Sequence, residues 1–383
     1  MAEAETAKRV VIAKPYSLGD EKDSEYTAPN FLRRILSLFK NVRPGSDLSH
    51  FQVKMPPPLN LPKSQLQCYG ELVYSFGGQD LLGMCNHGDR PIQRLKRVLT
   101  WNISTIRPLI FGMAPYNPLL GETHHVSHAH IHVILEQVSH HPPVSALHAF
   151  HEKENIEMIW CQYVNPKFRG AYVEAEVKGK RTMKLLNRGE TYEMSSPKPL
   201  MRILPVPGAY WTGHTHVKCS ETGLEAQLHF PTDSFFGFRG NNRSIKGKIF
   251  ESRSGKTLYE VYGYWDKTVK ARDMKTGEEE VIYNAKDNIS AIATPIVQNL
   301  KEVKESESTL VWSKVSEAIM AKDWERAVVA KRAVEDRQRE SAREREASAK
   351  TWTPQHFSVS CNGNDWDCSP LDTTVPPAPI VLT

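Results

Sequence analysis

No stretch of about 18 uncharged apolar residues occurs anywhere in the 383-residue chain, so no transmembrane helix is expected. The apolar run nearest the N-terminus, Val10 to Ala13, is too short for the core of a signal peptide. The six cysteines (Cys68, Cys85, Cys161, Cys219, Cys361, Cys368) contain no C-x-x-C pair, which argues against a zinc ribbon and against a small disulfide scaffold. A reduced, cytosol-facing protein is the expectation. Charge of one sign is also scarce: a formal net charge of +5 provides no field suited to wrapping nucleic acid, so any basic function must be local. No internal repeat divides the chain. Its length would allow two domains at roughly 150 residues each, but large β-barrels exceed that size as single units.

What the sequence has in local excess is histidine. Nine of its fifteen histidines lie between His124 and His151, within a region of strand-like texture. From about Val126 to Tyr283, β-rich runs such as Val133–Leu135, Met158–Cys161, Tyr172–Val177, Glu225–Phe230 and Leu258–Trp265 alternate with turn pairs. The turn pairs are Lys178-Gly179, Arg188-Gly189, Thr222-Gly223, Ser254-Gly255 and Thr276-Gly277. Strands joined by tight turns are antiparallel neighbours, and a sheet this long curls or closes, so a large antiparallel barrel able to enclose an apolar ligand is expected.

Helical patterns flank this region. In NFLRRILSLFK, residues Phe31, Leu32, Ile35, Leu36, Leu38 and Phe39 form one broad apolar face, with Arg33, Arg34 and Lys40 on the other and Asn30 as a candidate N-cap. A second pattern opens at Asp89-Arg-Pro and carries Ile92, Leu95, Val98 and Trp101 at helical spacing, with Asp89 as a candidate cap. The segment from Trp312 to Lys350 is helical and laced with opposite charges, seven basic and six acidic residues between Glu325 and Glu346. Residues 1–29 and 358–383 read as flexible and disordered tails.

In one strand, His128, His130 and His132 would share a face. Three imidazoles can hold zinc, but no Asp or Glu follows in an arrangement that would complete a catalytic site. The alternative is a wet, histidine-rich strand face. His140 and His141 differ, because adjacent strand residues point opposite ways unless the backbone turns, and Pro142-Pro143 supports a turn. Two imidazoles at a strand end suit an anionic oxygen such as phosphate.

The string Glu136-Gln-Val-Ser-His-His-Pro-Pro143 resembles the E-Q-V-S-H-H-P-P signature of the oxysterol-binding-protein-related family of lipid-exchange proteins. Pro115-Tyr-Asn-Pro-Leu-Leu-Gly-Glu122 is similar to its P-x-N-P-x-L-G-E loop, and Trp352-Thr-Pro354 with Phe357 to its closing W-x-P-x-x-F. The resemblance spans residues 30–357. It implies an α+β fold, mainly β: a near-closed antiparallel barrel (about 65–290) around an apolar tunnel, an N-terminal lid (about 30–52) and a C-terminal helical part (300–357). Phe31, Leu32, Ile35, Leu36 and Phe39 would then cover bound sterol, where a globular reading would simply dock them on the core.

The resemblance further implies a phosphatidylinositol 4-phosphate headgroup site. His140 and His141 would bind the ring phosphate, and Asn117 with the backbone of Tyr116 the loop side. Lys331, Glu335 and Arg339 match a K-x-x-x-E-x-x-x-R set that lies along one helical stripe. Lys331 and Arg339 would pair phosphate charge, and Glu335 would face inositol hydroxyls or orient the cations. Many members carry lysine where this chain has Ala114, and losing one charge-assisted bond of ~1.5–3 kcal/mol weakens affinity more than tenfold.

The expected function is intracellular transfer of sterol in a lidded tunnel, exchanged for the phosphoinositide at membrane contact sites. The alternatives are a lipid sensor or scaffold, and a histidine-dependent metallohydrolase. The first two need no catalysis, metal or cofactor. The residues ahead of the lid leave no room for a pleckstrin-homology domain or ankyrin repeats, as in short family members. The expected partners are the two lipids and a transient membrane surface, and the location is cytoplasmic with peripheral membrane association. Asp23-Ser-Glu-Tyr-Thr-Ala28 is only distantly similar to the acidic tract that docks relatives on endoplasmic-reticulum receptors. The second lipid, sterol or phosphatidylserine or another, stays open.

Overall fold

The computed structural model describes residues 10–19, 30–46, 48, 55–231, 243–290, 292–349, 351–363 and 365–383. Helix α1 (Phe31–Phe39) comes first. The strands β1 (Asn60–Ser64) and β2 (Ala114–Tyr116) then pair in parallel on either side of three helices, α2 (Gln65–Tyr74), α3 (Leu81–Met84) and α4 (Pro91–Ser104).

The alternating segments fold as a meander: β3 (Thr123–His128), β4 (Ile131–His140), β5 (Pro143–His151), β6 (Ile156–Phe168) and β7 (Tyr172–Leu185). It continues through β8 (Glu190–Met194), β9 (Lys198–Arg202), β10 (Gly208–Cys219), β11 (Leu224–Phe230) and β12 (Ser244–Glu251) to β13 (Thr257–Tyr264), β14 (Thr268–Asp273) and β15 (Glu279–Asn284). Short α5 (Ala285–Ile289), β16 (Ile296–Val297) and α6 (Ser308–Val311) lead to α7 (Ser313–Met320) and the long α8 (Trp324–Ala347). The chain ends in the hairpin β17 (Phe357–Asn362) and β18 (Asp365–Pro370), then β19 (Ile380–Leu382).

All pairings from β3 to β15 are antiparallel, and β19 joins β3 in parallel. A single buried cluster takes Val126 and Val133 from one end of the sheet and Val269 and Tyr283 from the other, so the sheet curls around a common core. Leu66 and Val73 of α2 with Leu95 and Val98 of α4 fill the concave side. The end strands β15 and β16 do not pair with each other, so the curl stops short of a closed hydrogen-bonded ring.

Several expectations are corrected. Residues 10–19 do not form a free tail: Ala13 and Ser17 are buried, the Leu18 amide donates to the Ile289 carbonyl at 2.7 Å, and Lys63 Nζ donates to the Lys14 carbonyl at 2.8 Å. Residues 1–9 and 20–29 lie outside the described residues. At the other end, residues 358–363 and 365–383 are ordered by pairing and packing rather than by any periodicity of their own. Phe357, Cys368 and Val375 cover Ile134, Val144 and Ala146 on the convex side of the sheet. Cys161 of β6 and Cys368 of β18 face each other in this layer, with Cα atoms 5.4 Å apart.

Lys178-Gly179 is not a turn but lies inside β7. Gly179 has φ +109°, and a Cβ there would come 1.8 Å from the Cys161 carbonyl, so glycine permits the close approach of β6 and β7. The helix after Asp89 begins at Pro91. It is capped by Gln93, whose side chain accepts the Arg90 amide at 3.0 Å, not by Asp89.

Candidate functional site

The loop from Pro115 to Glu122 is held by one buried carboxylate. Glu122 accepts bonds from Ser64 Oγ at 2.5 Å, Ser308 Oγ at 2.7 Å, Trp312 Nε1 at 2.8 Å and the Leu119 amide at 2.9 Å. Burial pushes its pKa up while the bonds pull it down. These contacts tie the loop to β1, α6 and the start of α7. Gly121, at φ +77°, leaves no room for a side chain, because a Cβ would come 2.4 Å from the Trp352 ring. At the start of the second motif, Glu136 accepts the amides of Gln355 at 2.8 Å and His356 at 2.8 Å, which pins the segment after α8 beside β4. The acidic residue of each motif therefore builds the walls of the site, a role the sequence reading did not assign.

Between these walls lies a cavity of about 740 Å³. Asn117, His140, His141, Lys331, Glu335 and Arg339 all line it, so the structure brings together six of the seven residues expected there. The seventh, Tyr116, turns its ring into the core, stacked 4.5 Å from Trp312 with its hydroxyl 3.2 Å from Ser316 Oγ.

His140 ends β4 and donates Nδ1–H to the Pro118 carbonyl at 3.1 Å, which directs Nε2 away from that bond. Its ring lies edge-on to His141 at 4.7 Å. Burial, followed by the like charge of His141, holds the His140 pKa below its usual value, and the Pro118 bond opposes this. On α8 the expected stripe is present. Lys331 is buried, donates to Asn60 Oδ1 at 2.7 Å and to the Met55 carbonyl, and is lowered by burial to a pKa of about 8. Glu335 lies between the two cations, 3.9 Å from Lys331 Nζ and 3.9 Å from Arg339 Nη1. Arg339, half-exposed, also donates to Asp336.

The sequence reading missed three contributors. Arg345 and Gln338, further along α8, line the same cavity, and so does Trp352, whose buried indole nitrogen has no partner among the described residues. Helical spacing gave no signal for Arg345, which lies six residues beyond Arg339, or about 240° round the helix at about 100° per residue, and so off the stripe. Ala114 lines the cavity as well. Arg107 does not replace the missing lysine, because its guanidinium is spent on the carbonyls of Ser104 and Ser75.

Helix α1 divides its apolar residues. Ile35 is 1% exposed and Phe39 stacks on Phe168 at 4.9 Å, whereas Leu32 and Leu36 are each 43% exposed. The single apolar face is thus two stripes, one inward and one outward. The Phe31 side chain and residues 47 and 49–54 of the expected lid lie outside the described residues. Asn30 occupies the N-cap position but makes no side-chain capping bond.

The three alternate histidines do not share a strand. The chain turns at Ala129-His130, so His128 closes β3 and His132 belongs to β4. His128 donates to the Tyr74 carbonyl at 2.7 Å, and His132 Nδ1 accepts the Ser127 hydroxyl at 2.7 Å. Among the described residues, no group of three or more His, Cys, Asp or Glu side chains is placed to hold a metal ion.

Comparison with known proteins follows the same geography. The Oxysterol-binding protein family model matches residues 35–370. Oxysterol-binding protein-related protein 4B of Arabidopsis thaliana is 66% identical over 385 residues, covering 100% of both chains, and protein 4A of the same plant is 63% identical over 386 residues with the same coverage. Among solved structures, the Osh1 ORD domain in complex with ergosterol superposes with a TM-score of 0.70 at 20% identity, covering 92% of this chain and 88% of that one. The Osh3 ORD in complex with PI(4)P from Saccharomyces cerevisiae gives 0.67 at 21% identity, covering 94% and 93%.

Proposed function

Because this chain belongs to the oxysterol-binding protein family, we propose that it is a lipid-transfer protein that carries sterol in a lidded interior and exchanges it for phosphatidylinositol 4-phosphate. The observation that carries the reading is the single cavity in which His140, His141 and Asn117 meet the Lys331, Glu335 and Arg339 stripe of α8. These groups suit a phosphorylated, hydroxyl-rich ring: cations and imidazoles for phosphate, a carboxylate and an amide for hydroxyls. The two kinds of lipid named for the similar structures, sterol and PI(4)P, support the same pairing. Ala114 removes one cation from the set used by many relatives. Arg345 supports phosphate binding in its place.

Exchange follows from energetics. A sterol burying on the order of 400 Å² of apolar surface gains roughly 10 kcal/mol on leaving water, but a bilayer offers most of the same gain. Net binding relative to membrane is therefore small, which lets cargo load and unload. The outward Leu32 and Leu36, with Arg33 and Arg34 beside them, form an amphipathic edge suited to touching a membrane when α1 opens. No helix of the described residues is long and apolar enough to cross a membrane. The reading places the protein in the cytoplasm, at membrane surfaces including the endoplasmic reticulum, with a receptor there as a further partner. No bond is made or broken, so it is a carrier rather than an enzyme, and it needs neither metal nor cofactor.

Mass spectrometry of lipid extracted from the purified protein is the direct test. Near-stoichiometric sterol or phosphoinositide is expected, together with sterol movement between liposomes that accelerates when the acceptor contains phosphatidylinositol 4-phosphate. Protein that takes up neither lipid from liposomes would overturn the reading.

A further inference from the structure

The facing rows of β6 and β7 contain a set of donors that no acceptor meets. Trp160 and Arg181 are cross-strand partners, 1% and 3% exposed. The guanidinium carbon is 4.0 Å from the Trp160 ring centroid and 5.8 Å from that of Trp101. One nitrogen of Arg181 donates to Ser196 Oγ. Its Nε and Nη2, and the indole nitrogen of Trp160, are buried with no partner among the described residues. Asn102 Nδ2 on α4 is likewise buried and unpaired. It is linked to this place through Thr215, which lies 3.4 Å from Asn102 Oδ1 and donates to the carbonyl of Ser195, next to Ser196.

These four orphans are all donors, and two of them belong to one cation, Arg181. Burial lowers the Arg181 pKa to about 9, which still leaves the guanidinium charged at neutral pH. An unpaired buried charge is among the most costly features a fold can keep. The position of Arg181 suggests what it is kept for. Arg181, Met183 and Leu185 are buried, but from Tyr172 to Lys178 neither face of β7 is. At the far end of the same pairing, Phe168 faces Val173, and Phe168 carries Phe39 of α1. The row thus runs from beneath α1 to Arg181, roughly 26 Å at 3.3 Å per residue.

We propose that Arg181 and Trp160 form an inner oxygen subsite for the carboxylate or carbonyl group at the buried end of an apolar ligand lying along this row. The proposal rests on the lipid-carrier reading and adds a chemical class to it. A carboxylate or carbonyl contributes lone pairs alone, which is what a donor-only cluster lacks. A hydroxyl brings a proton that needs an acceptor in turn. A carboxylate also pairs with the guanidinium charge, so it is the preferred group.

The test compares a fluorescent polyene fatty acid with its alcohol on the full chain, on Arg181→Met and on Arg181→Lys. The acid is expected to bind the unaltered protein at least tenfold tighter than the alcohol. Arg181→Met abolishes that preference, and Arg181→Lys keeps part of it. Equal affinities for acid and alcohol, or a preference that survives in folded Arg181→Met, would mean that the buried cation is structural only. If Arg181→Met does not fold, Trp160→Phe removes one N–H alone, and a severalfold loss of acid affinity with the alcohol unaffected is expected; no change overturns the subsite. Phosphoinositide binding, measured in parallel, separates the two ideas. Acid preference without phosphoinositide binding sustains this subsite and defeats the headgroup reading, and phosphoinositide binding without acid preference does the reverse.

Discussion

Two groups of histidines lie on the adjacent strands β3, β4 and β5 and differ in what their nitrogens meet. His124 donates Nδ1–H to Glu307 at 2.7 Å and accepts the Tyr74 hydroxyl at Nε2 at 3.1 Å, and His151 bonds Asp80 at 2.7 Å and the Glu154 amide at 3.2 Å. Both rings are fully committed within the protein. His140, by contrast, uses one nitrogen on the Pro118 carbonyl and faces a cavity with the rest of its ring. The same residue type therefore does opposite work: satisfied imidazoles hold elements together, and half-satisfied ones wait for an anion.

The most severe way to break this contrast is His124→Ala. It takes the imidazole from the buried Glu307 carboxylate, which is left with the His125 amide at 2.9 Å, and we expect a loss of about 3–5 kcal/mol of stability in urea unfolding, with little change in phosphoinositide affinity for the fraction that stays folded. His140→Ala/His141→Ala should do the converse. Affinity for liposomes containing phosphatidylinositol 4-phosphate should fall more than about tenfold by flotation, while stability changes by about 1 kcal/mol or less. If the two substitutions have interchangeable effects, the distinction fails.

The contrast is sharpened by Ala114→Lys, which adds a cation to the cavity lining. It should raise phosphoinositide affinity about tenfold at low salt and less at high salt, measured in the same assay. The smallest effect is that of pH. His140 is held below its usual pKa, so in the free protein it is neutral at pH 7 and costs stability as pH falls through that range. A bound phosphate favours the protonated ring, so binding takes up a proton. Lys331, lowered to about 8, loses its charge as pH rises through that value. Both shifts act in the same direction, and affinity should rise severalfold from pH 8.5 to 6.5 in titration calorimetry. The Pro118 carbonyl, His141 and Arg345 are the other groups acting on His140, and none reverses the sign.

Much of the fold was legible because a meander is local: alternation marks strands, and Gly-containing pairs mark four of the five turns expected. Lys178-Gly179 failed because glycine serves both turns and close backbone approach, and only the neighbouring Cys161 carbonyl tells them apart. The C-terminal strands failed because their order comes from the surface they cover. Within the site, the stripe Lys331, Glu335 and Arg339 was legible from helical geometry alone. The roles of Glu122 and Glu136 as anchors were not, since both depend on partners from distant segments.

What the sequence determined by itself was the inventory: periodicities that set each strand and helix, and motif strings that set the family, both of which depend on near neighbours along the chain. Tertiary structure alone decided which polar groups stayed unpaired. His140, Trp352, Trp160 and Arg181 look no different in the sequence from their satisfied counterparts. A missing partner is defined by everything packed around a group, and a buried donor without one matters because the low-dielectric interior offers no water to replace it.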